Sequence, residues 1–236
     1  MNVIAFLLFI LTPMRLLGQP APTPKSHRVS IGLNFSPTLN YRTLSAIEPD
    51  SWAIVNRNKQ ERSNWNYDVG ISLSIPFRNR LVVESGFWYV KKGYKTDWQL
   101  LNWNSTDPDL PLSSLTRFTY SFVSLPLKIK YPFGRGKLRG FVVGGIALDF
   151  FIRQQVDVIT NYSDRQSQSS AAKFVGISRF NLVPTFSGGI NYSLSTALSL
   201  KIEPVFQYFA LPLRPGLVVR EHLYSSGLTM GLVQRF

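Results

Sequence analysis

VSIGLNFSPTLNY, residues 29 to 41, alternates without a break. Val29, Ile31, Leu33, Phe35, Pro37, Leu39 and Tyr41 take the odd positions; Ser30, Gly32, Asn34, Ser36, Thr38 and Asn40 take the even ones. WNYDVGISLSIPF, residues 65 to 77, repeats the pattern: Trp65, Tyr67, Val69, Ile71, Leu73, Ile75 and Phe77 stand against Asn66, Asp68, Gly70, Ser72, Ser74 and Pro76. Successive side chains of a strand point to opposite faces, so a period of two sustained this long predicts strands with one apolar face.

Less regular segments of the same kind run over 81–94, 118–133, 138–152, 179–194, 197–209 and 223–236, which brings the expected count to eight strands. Parity slips near Phe122 and Val123, and near Gly144 and Gly145, predict β-bulges. Pro37, Pro126, Pro184 and Pro204 fall inside strands, and since a closed barrel has no edge to hold them, bulges or strand ends are expected there. Connections alternate between long and short. The long ones are 43–64, 95–117, 153–178 and the approach to the last strand; the tight turns are 78–80, 134–137 and 195–196. Short periplasmic turns opposite long extracellular loops mark an outer-membrane barrel. The expected fold is therefore all-β, an eight-stranded antiparallel transmembrane β-barrel with both termini periplasmic.

A soluble barrel also alternates, but its bulky apolar face must form the core while a charged face meets water. Here the second face is Gly, Ser, Asn and Thr with few charges, which suits a narrow polar lumen. The aromatics fall at two levels. Tyr41, Trp65, Tyr67, Tyr89, Phe180, Phe206, Tyr208 and Tyr224 lie toward the loop end, and Phe77, Tyr131, Phe133, Tyr192 and Phe236 toward the turn end, as two interfacial belts require.

Val3 to Thr12, VIAFLLFILT, is an apolar run of about ten residues, too short for a spanning helix and of the length of a signal-peptide core. No Lys or Arg precedes it, and an uncleaved anchor is the alternative. The expected organisation is a signal peptide over 1–18, a short Pro-rich segment over 19–27 and the barrel over 28–236. The chain has no cysteine, which excludes disulfides and thiolate metal sites, and no ligand cluster or phosphate loop is recognisable, so no cofactor is expected. The net charge of +13 is concentrated at the turn end, on Arg78, Arg80, Arg135, Lys137 and Arg139 with Lys25, Arg28 and Arg235, whereas acids nearly offset bases in the long loops. That distribution argues against nucleic acid as a partner; a basic rim there would hold inner-leaflet phosphates or simply resist translocation.

Strand parity places Arg42, Asp68, Glu84, Lys92, Lys128, Lys130, Lys201 and Glu203 in the lumen. An eight-stranded barrel is just wide enough for side chains to fill, so these charges are expected to pair across it as an ionic plug, with a narrow pore as the alternative. Trp98, Leu100, Leu101 and Trp103, in the second long loop, form the candidate recognition surface. His222 with Glu221, Ser225 or Ser226 is the one constellation that would fit a lipid-modifying barrel enzyme, and a polar strand start is its ordinary reading.

Four stretches carry a resemblance to a family: LVVESGFWYVKKGYK (81–95), FVSLPLKIKYPF (122–133), GFVVGGIALDF (140–150) and SGLTMGLVQRF (226–236). Together they resemble the PorT-like outer-membrane β-barrel family, with Ser124 standing where the family pattern has an acidic residue. The resemblance implies an outer-membrane location and fold, and through the family's namesake a link to a protein-secretion system; it implies no catalytic residues. Leu228, Met230, Leu232 and Phe236 match the alternating, aromatic-ended last strand that barrel-assembly machinery recognises. The function expected is a non-enzymatic integral outer-membrane protein with a structural, surface-interaction or secretion-accessory role. Its expected partners are outer-membrane lipid and lipopolysaccharide, the assembly machinery, and envelope or secretion-system proteins.

Overall fold

The computed structural model describes residues 29–46, 52–77, 81–104, 107, 109–172 and 176–236. The expected signal peptide and Pro-rich segment lie outside the described residues, as do Arg78 and Arg80. Ten strands and one helix follow in chain order: β1 (Ser30–Ser45), α1 (Trp52–Gln60), β2 (Glu61–Pro76), β3 (Val82–Thr96), β4 (Gln99–Leu100), β5 (Ser113–Phe133), β6 (Leu138–Asn161), β7 (Gln166–Ala172), β8 (Phe180–Ser193), β9 (Leu198–Tyr208) and β10 (Arg220–Arg235). Eight of them close a ring in the order β1-β2-β3-β5-β6-β8-β9-β10, every neighbour antiparallel. Closure between β1 and β10 runs from Ser30↔Arg235 to Ser45↔Arg220 and leaves the ring without an edge. β4 and β7 add to the loop-end parts of β5 and β6.

The parity reading decides which face is outside. Phe35 is 47% exposed and its neighbour Asn34 1%, and the same contrast recurs down β1 and β2. A barrel that turns Ile, Leu, Val and Phe outward around its whole wall is built for an apolar solvent. Among the described residues no helix is long and apolar enough to cross a membrane; the strands are the crossing elements. The loop-end belt is continuous in register, with Tyr41 opposite Tyr224 and Tyr224 opposite Tyr208.

Several expectations need correction. The β5–β6 ladder does shift between Ser121 and Phe122, but the extra residue is Ile152 on β6, and Gly144 and Gly145 pair in unbroken register. Lumen-facing residues of β5 remain even-numbered from Tyr120 to Lys130; the slip seen in the sequence is a change in what lines the lumen, from polar below to Tyr120 and Phe122 above. The prolines are mostly neither bulges nor ends. Pro37, Pro126 and Pro204 sit in register with one neighbour (Tyr67, Ala147 and Leu228) and interrupt the ladder on the other side only. A strand residue's N–H reaches one neighbour, so each proline removes one bond and leaves the register intact. Pro184 alone lies at a ladder's end, next to Thr185↔Gln207.

The long connections also carry more structure than expected. β6 continues nine residues past Ile152, paired with β5 on one side as far as Ser113↔Asn161 and with β7, in a hairpin, on the other. The first long connection contains α1, whose Arg57 and Lys59 stand in the last turn, where they complement the helix dipole.

Candidate functional site: the lumen and its loop-end mouth

Side chains fill the lumen in layers. Nearest the turn end is an open vestibule of about 320 Å³ lined by Lys130, Arg139, Arg235, Asn191 and Ser199 among others. Lys130 lies over the ring of Phe141 at 3.7 Å. Above it stands an ionic layer, in which Lys201 pairs with Glu203 at 2.8 Å and reaches Glu84 at 3.8 Å, and Lys128 reaches the same carboxylate at 3.9 Å. Ser187 donates to Glu203, and Ser74 donates to Glu84 at 3.4 Å. Buried charges survive best when paired and hydrogen-bonded, as Lys201, Glu203 and Glu84 are; Lys128 is paired, with its ammonium 5.6 Å from the centre of the Trp88 ring.

Next comes a cavity of about 20 Å³ beside Asp68, Trp88, Ser124 and Gln207, room for about one water. Lys92 donates to Ser225 at 3.0 Å and to Gln207, and Asp68 accepts the backbone N–H of Lys91 at 3.3 Å. Asp149, fully buried, lies across the ladder from Ser124. Over this level sits an apolar seal of Tyr120, Phe122, Phe209, Leu213 and Leu223, each 1% exposed or less, with Phe122 edge-on to Phe209 at 5.3 Å between ring centres.

The mouth is closed by charge. Arg42 Nε donates to Glu61 at 2.6 Å and its Nη1 to Asn58 of α1 at 2.8 Å. Arg57 of α1 bonds Glu61 at 2.6 Å, Glu221 at 3.0 Å and the Tyr94 hydroxyl at 3.0 Å. Burial opposes the Arg57 cation, but the hydrogen bond to Glu61 and the charges of Glu221 and Glu61 outweigh it and hold its pKa above the ordinary arginine value. The helix is thus tied over the lumen by two guanidinium groups and two carboxylates.

Of the eight charges expected in the lumen, Glu84, Lys128, Lys201 and Glu203 form one network, while Asp68, Lys92 and Lys130 are luminal with other partners. Arg42 is buried but belongs to the mouth. Its partner Glu61, within the long connection expected over 43–64, and Glu221, the partner of Arg57 ahead of the last expected strand, are lumen-facing ends of strands. An irregularity between Ser63 and Asp68 inverts parity in β2, which hides Glu61 from a period-two reading; Glu221 keeps the parity of Leu223 and Ser225 and was legible from it. Leu213 of the seal and Arg57 come from connections and gave no sequence signal.

Trp98, Leu100 and Trp103 are exposed, Leu100 to 81%, and Leu101 is half-buried. The loop is anchored by β4 on β5, by the Trp103 indole donating to the Pro111 carbonyl at 2.7 Å, and by Gln99 bonding Gln60 at the end of α1. Leu228, Met230 and Phe236 lie exposed on the outer face. His222 points outward, stacked on Tyr208 with Nδ1 against the Phe209 carbonyl at 3.0 Å, whereas Glu221 and Ser225 point inward, so these three side chains form no triad.

A closed, lipid-facing, eight-stranded barrel with a filled lumen is a transmembrane β-barrel protein. The chain belongs to the outer membrane protein beta-barrel domain family, whose model matches residues 18–211, and its location is the bacterial outer membrane. The search of curated proteins returned no match. Among solved structures it is similar to Neisserial surface protein A (12% identity, 88% of this chain and 97% of that one, TM-score 0.47), to OprG from Pseudomonas aeruginosa (8%, 89% and 96%, 0.45) and to the outer membrane protease OmpT from Escherichia coli (9%, 89% and 95%, 0.43).

Proposed function

We propose that the protein is a non-enzymatic, non-conducting barrel whose work is done at its loop end, as a scaffold that presents α1, the second long loop and the β6–β7 hairpin at the cell surface. On this reading the turns and both termini are periplasmic. The carrying observation is the sequence of closures along one axis: the Lys201–Glu203–Glu84–Lys128 layer, the Phe122–Phe209 seal and the Arg57-tethered helix. A conduit has no use for three barriers, whereas a display scaffold gains rigidity from each. The exposed Trp98, Leu100 and Trp103 supply the recognition surface for an envelope protein, and the PorT-like strand sequences favour a secretion-accessory partner among such proteins. The last strand, ending at Phe236, serves recognition by the assembly machinery.

Single-channel recording in planar bilayers tests the closed lumen: purified protein gives no reproducible open steps, and their appearance would overturn the reading. Lipid A profiles of deletion and wild-type strains are expected to coincide; a difference restored by the wild-type gene would favour the enzyme alternative. Pull-down from native outer membranes with Trp98→Ser/Trp103→Ser tests the surface, and unchanged recovery of partners removes it.

A further inference from the structure

The outer wall is not uniform where its apolar band ends. On β3, β5 and β6 the last regular apolar row is Tyr89–Val123–Phe150, continued on β2 by Val69, beyond which Tyr67 and Trp65 also face outward. Two residues nearer the loop end on β3 and β5, and three on β6 because of the extra Ile152, Lys91, Ser121 and Arg153 stand side by side on the same outward face, with the Lys91 ammonium 3.0 Å from the Tyr67 hydroxyl, 4.6 Å from the centre of that ring and 5.9 Å from that of Tyr89. Four residues further out, Arg62, Lys95, Arg117 and Asp157 share a second row. Five cations thus face outward against two acids. Asp97 is taken up by Arg62 at 2.8 Å, and Asp157 accepts from Ser170 and from Gln155. Among the described residues neither Lys91 nor Arg153 has an acidic partner; Arg153 donates only to Gln155, at 3.2 Å. On the opposite wall the belt is Tyr41, Tyr224 and Tyr208, and four residues further out on β10 stands a single outward cation, Arg220, opposite Ser45.

We propose that this face of β3, β5 and β6 binds the phosphorylated sugar head group of an outer-leaflet glycolipid, with Lys91 and Arg153 holding one phosphate and Lys95 and Arg117 reaching toward a second or toward the sugar. The inference rests on the loop end being extracellular. Depth, charge and asymmetry carry it. Head groups begin where the hydrocarbon ends, within several ångströms of the last apolar row. Lys and Arg at that level lay their stems on the apolar wall and present the charge to phosphate, and guanidinium binds phosphate bidentately. The tyrosine rings under Lys91 fix its ammonium at that height. Snorkelling alone would spread cations evenly around the barrel, whereas Lys91, Lys95, Arg117 and Arg153 lie on three adjacent strands, with Arg62 on neighbouring β2 and Arg220 apart on β10.

Native mass spectrometry of the detergent-solubilised barrel would decide, using diphosphoryl lipid A, its dephosphorylated form, phosphatidylglycerol and inorganic pyrophosphate as probes. Diphosphoryl lipid A is expected to bind, and the dephosphorylated form to bind at least about tenfold more weakly. Lys91→Gln/Arg153→Gln should lose about tenfold. Heat-modifiable migration confirms that each variant is folded, and the single substitutions replace the double one if it is not. Phosphate-dependent binding that survives Lys91→Gln and Arg153→Gln would overturn the site; equal binding of phosphatidylglycerol would reduce it to a general anion belt and overturn the glycolipid. Preference for free pyrophosphate over lipid A would identify a soluble phosphate ligand and likewise overturn it. Loop orientation is checked separately, by labelling a cysteine placed in the second long loop of whole cells, so failure of the orientation is distinguishable from failure of the site.

Discussion

Lys201 and Glu203 show what the lumen demands of single residues. Both are about 2% exposed and 2.8 Å apart, and the ammonium also serves Glu84. Truncating one partner strands the other's charge, which costs roughly 3–5 kcal/mol, whereas removing both restores neutrality. Lys201→Met is therefore expected to lower the urea midpoint of the barrel in lipid vesicles sharply, and Lys201→Met/Glu203→Leu much less. A double variant as unstable as the single one would mean that Glu84 and Lys128 depend on the pair as well.

At the scale of elements, α1 is held by contacts rather than by propensity: nine residues are too few for a helix to persist alone in water. Arg57 is its principal tether, so Arg57→Ala should raise amide exchange across α1 by at least about tenfold while the barrel strands remain protected. Unchanged exchange would leave the Arg42–Asn58 bond as sufficient. The β6–β7 hairpin has its own switch at Asp157. Burial pushes this carboxyl up, but hydrogen bonds from Ser170 and Gln155 and the nearby Arg117 outweigh it, so its pKa lies below the usual carboxylate value. A lowered pKa contributes stability that is present above the unfolded-state value and lost as pH falls through the folded one. Protection factors at the β7 amides, corrected for the intrinsic slowing of exchange in acid, should accordingly fall as pH drops below the ordinary carboxylate range, and Asp157→Asn should abolish that fall.

For the whole molecule, closure between β1 and β10 joins the two ends of the chain, and the Phe236 amide donates to the Val29 carbonyl at 2.9 Å. Insertion must bring that last strand to the first across the full circumference, a pairing of high sequence separation and slow kinetics. Deleting Phe236 is expected to reduce the heat-modifiable, membrane-assembled fraction in cells several-fold. Unchanged assembly would show that Leu228, Met230 and Leu232 suffice as the signal.

The alternation of 29–41 and 65–77, with the long and short connections, was enough to determine strand count, ring closure, the lipid-facing side and both aromatic levels, because a period of two is local and lipid permits only one face to meet it. The same parity placed Glu84, Lys128, Lys201 and Glu203 inside. It failed at Glu61, where an irregularity in β2 inverts the faces, and at the prolines, whose cost depends on which neighbour loses a bond. Only the tertiary structure decided which charges meet, that Phe122 finds Phe209 across the lumen, that α1 closes the mouth, and that Lys91 and Arg153 stand in one row. Those relations join residues far apart in the chain, and ring closure, shear and the single extra residue at Ile152 set them.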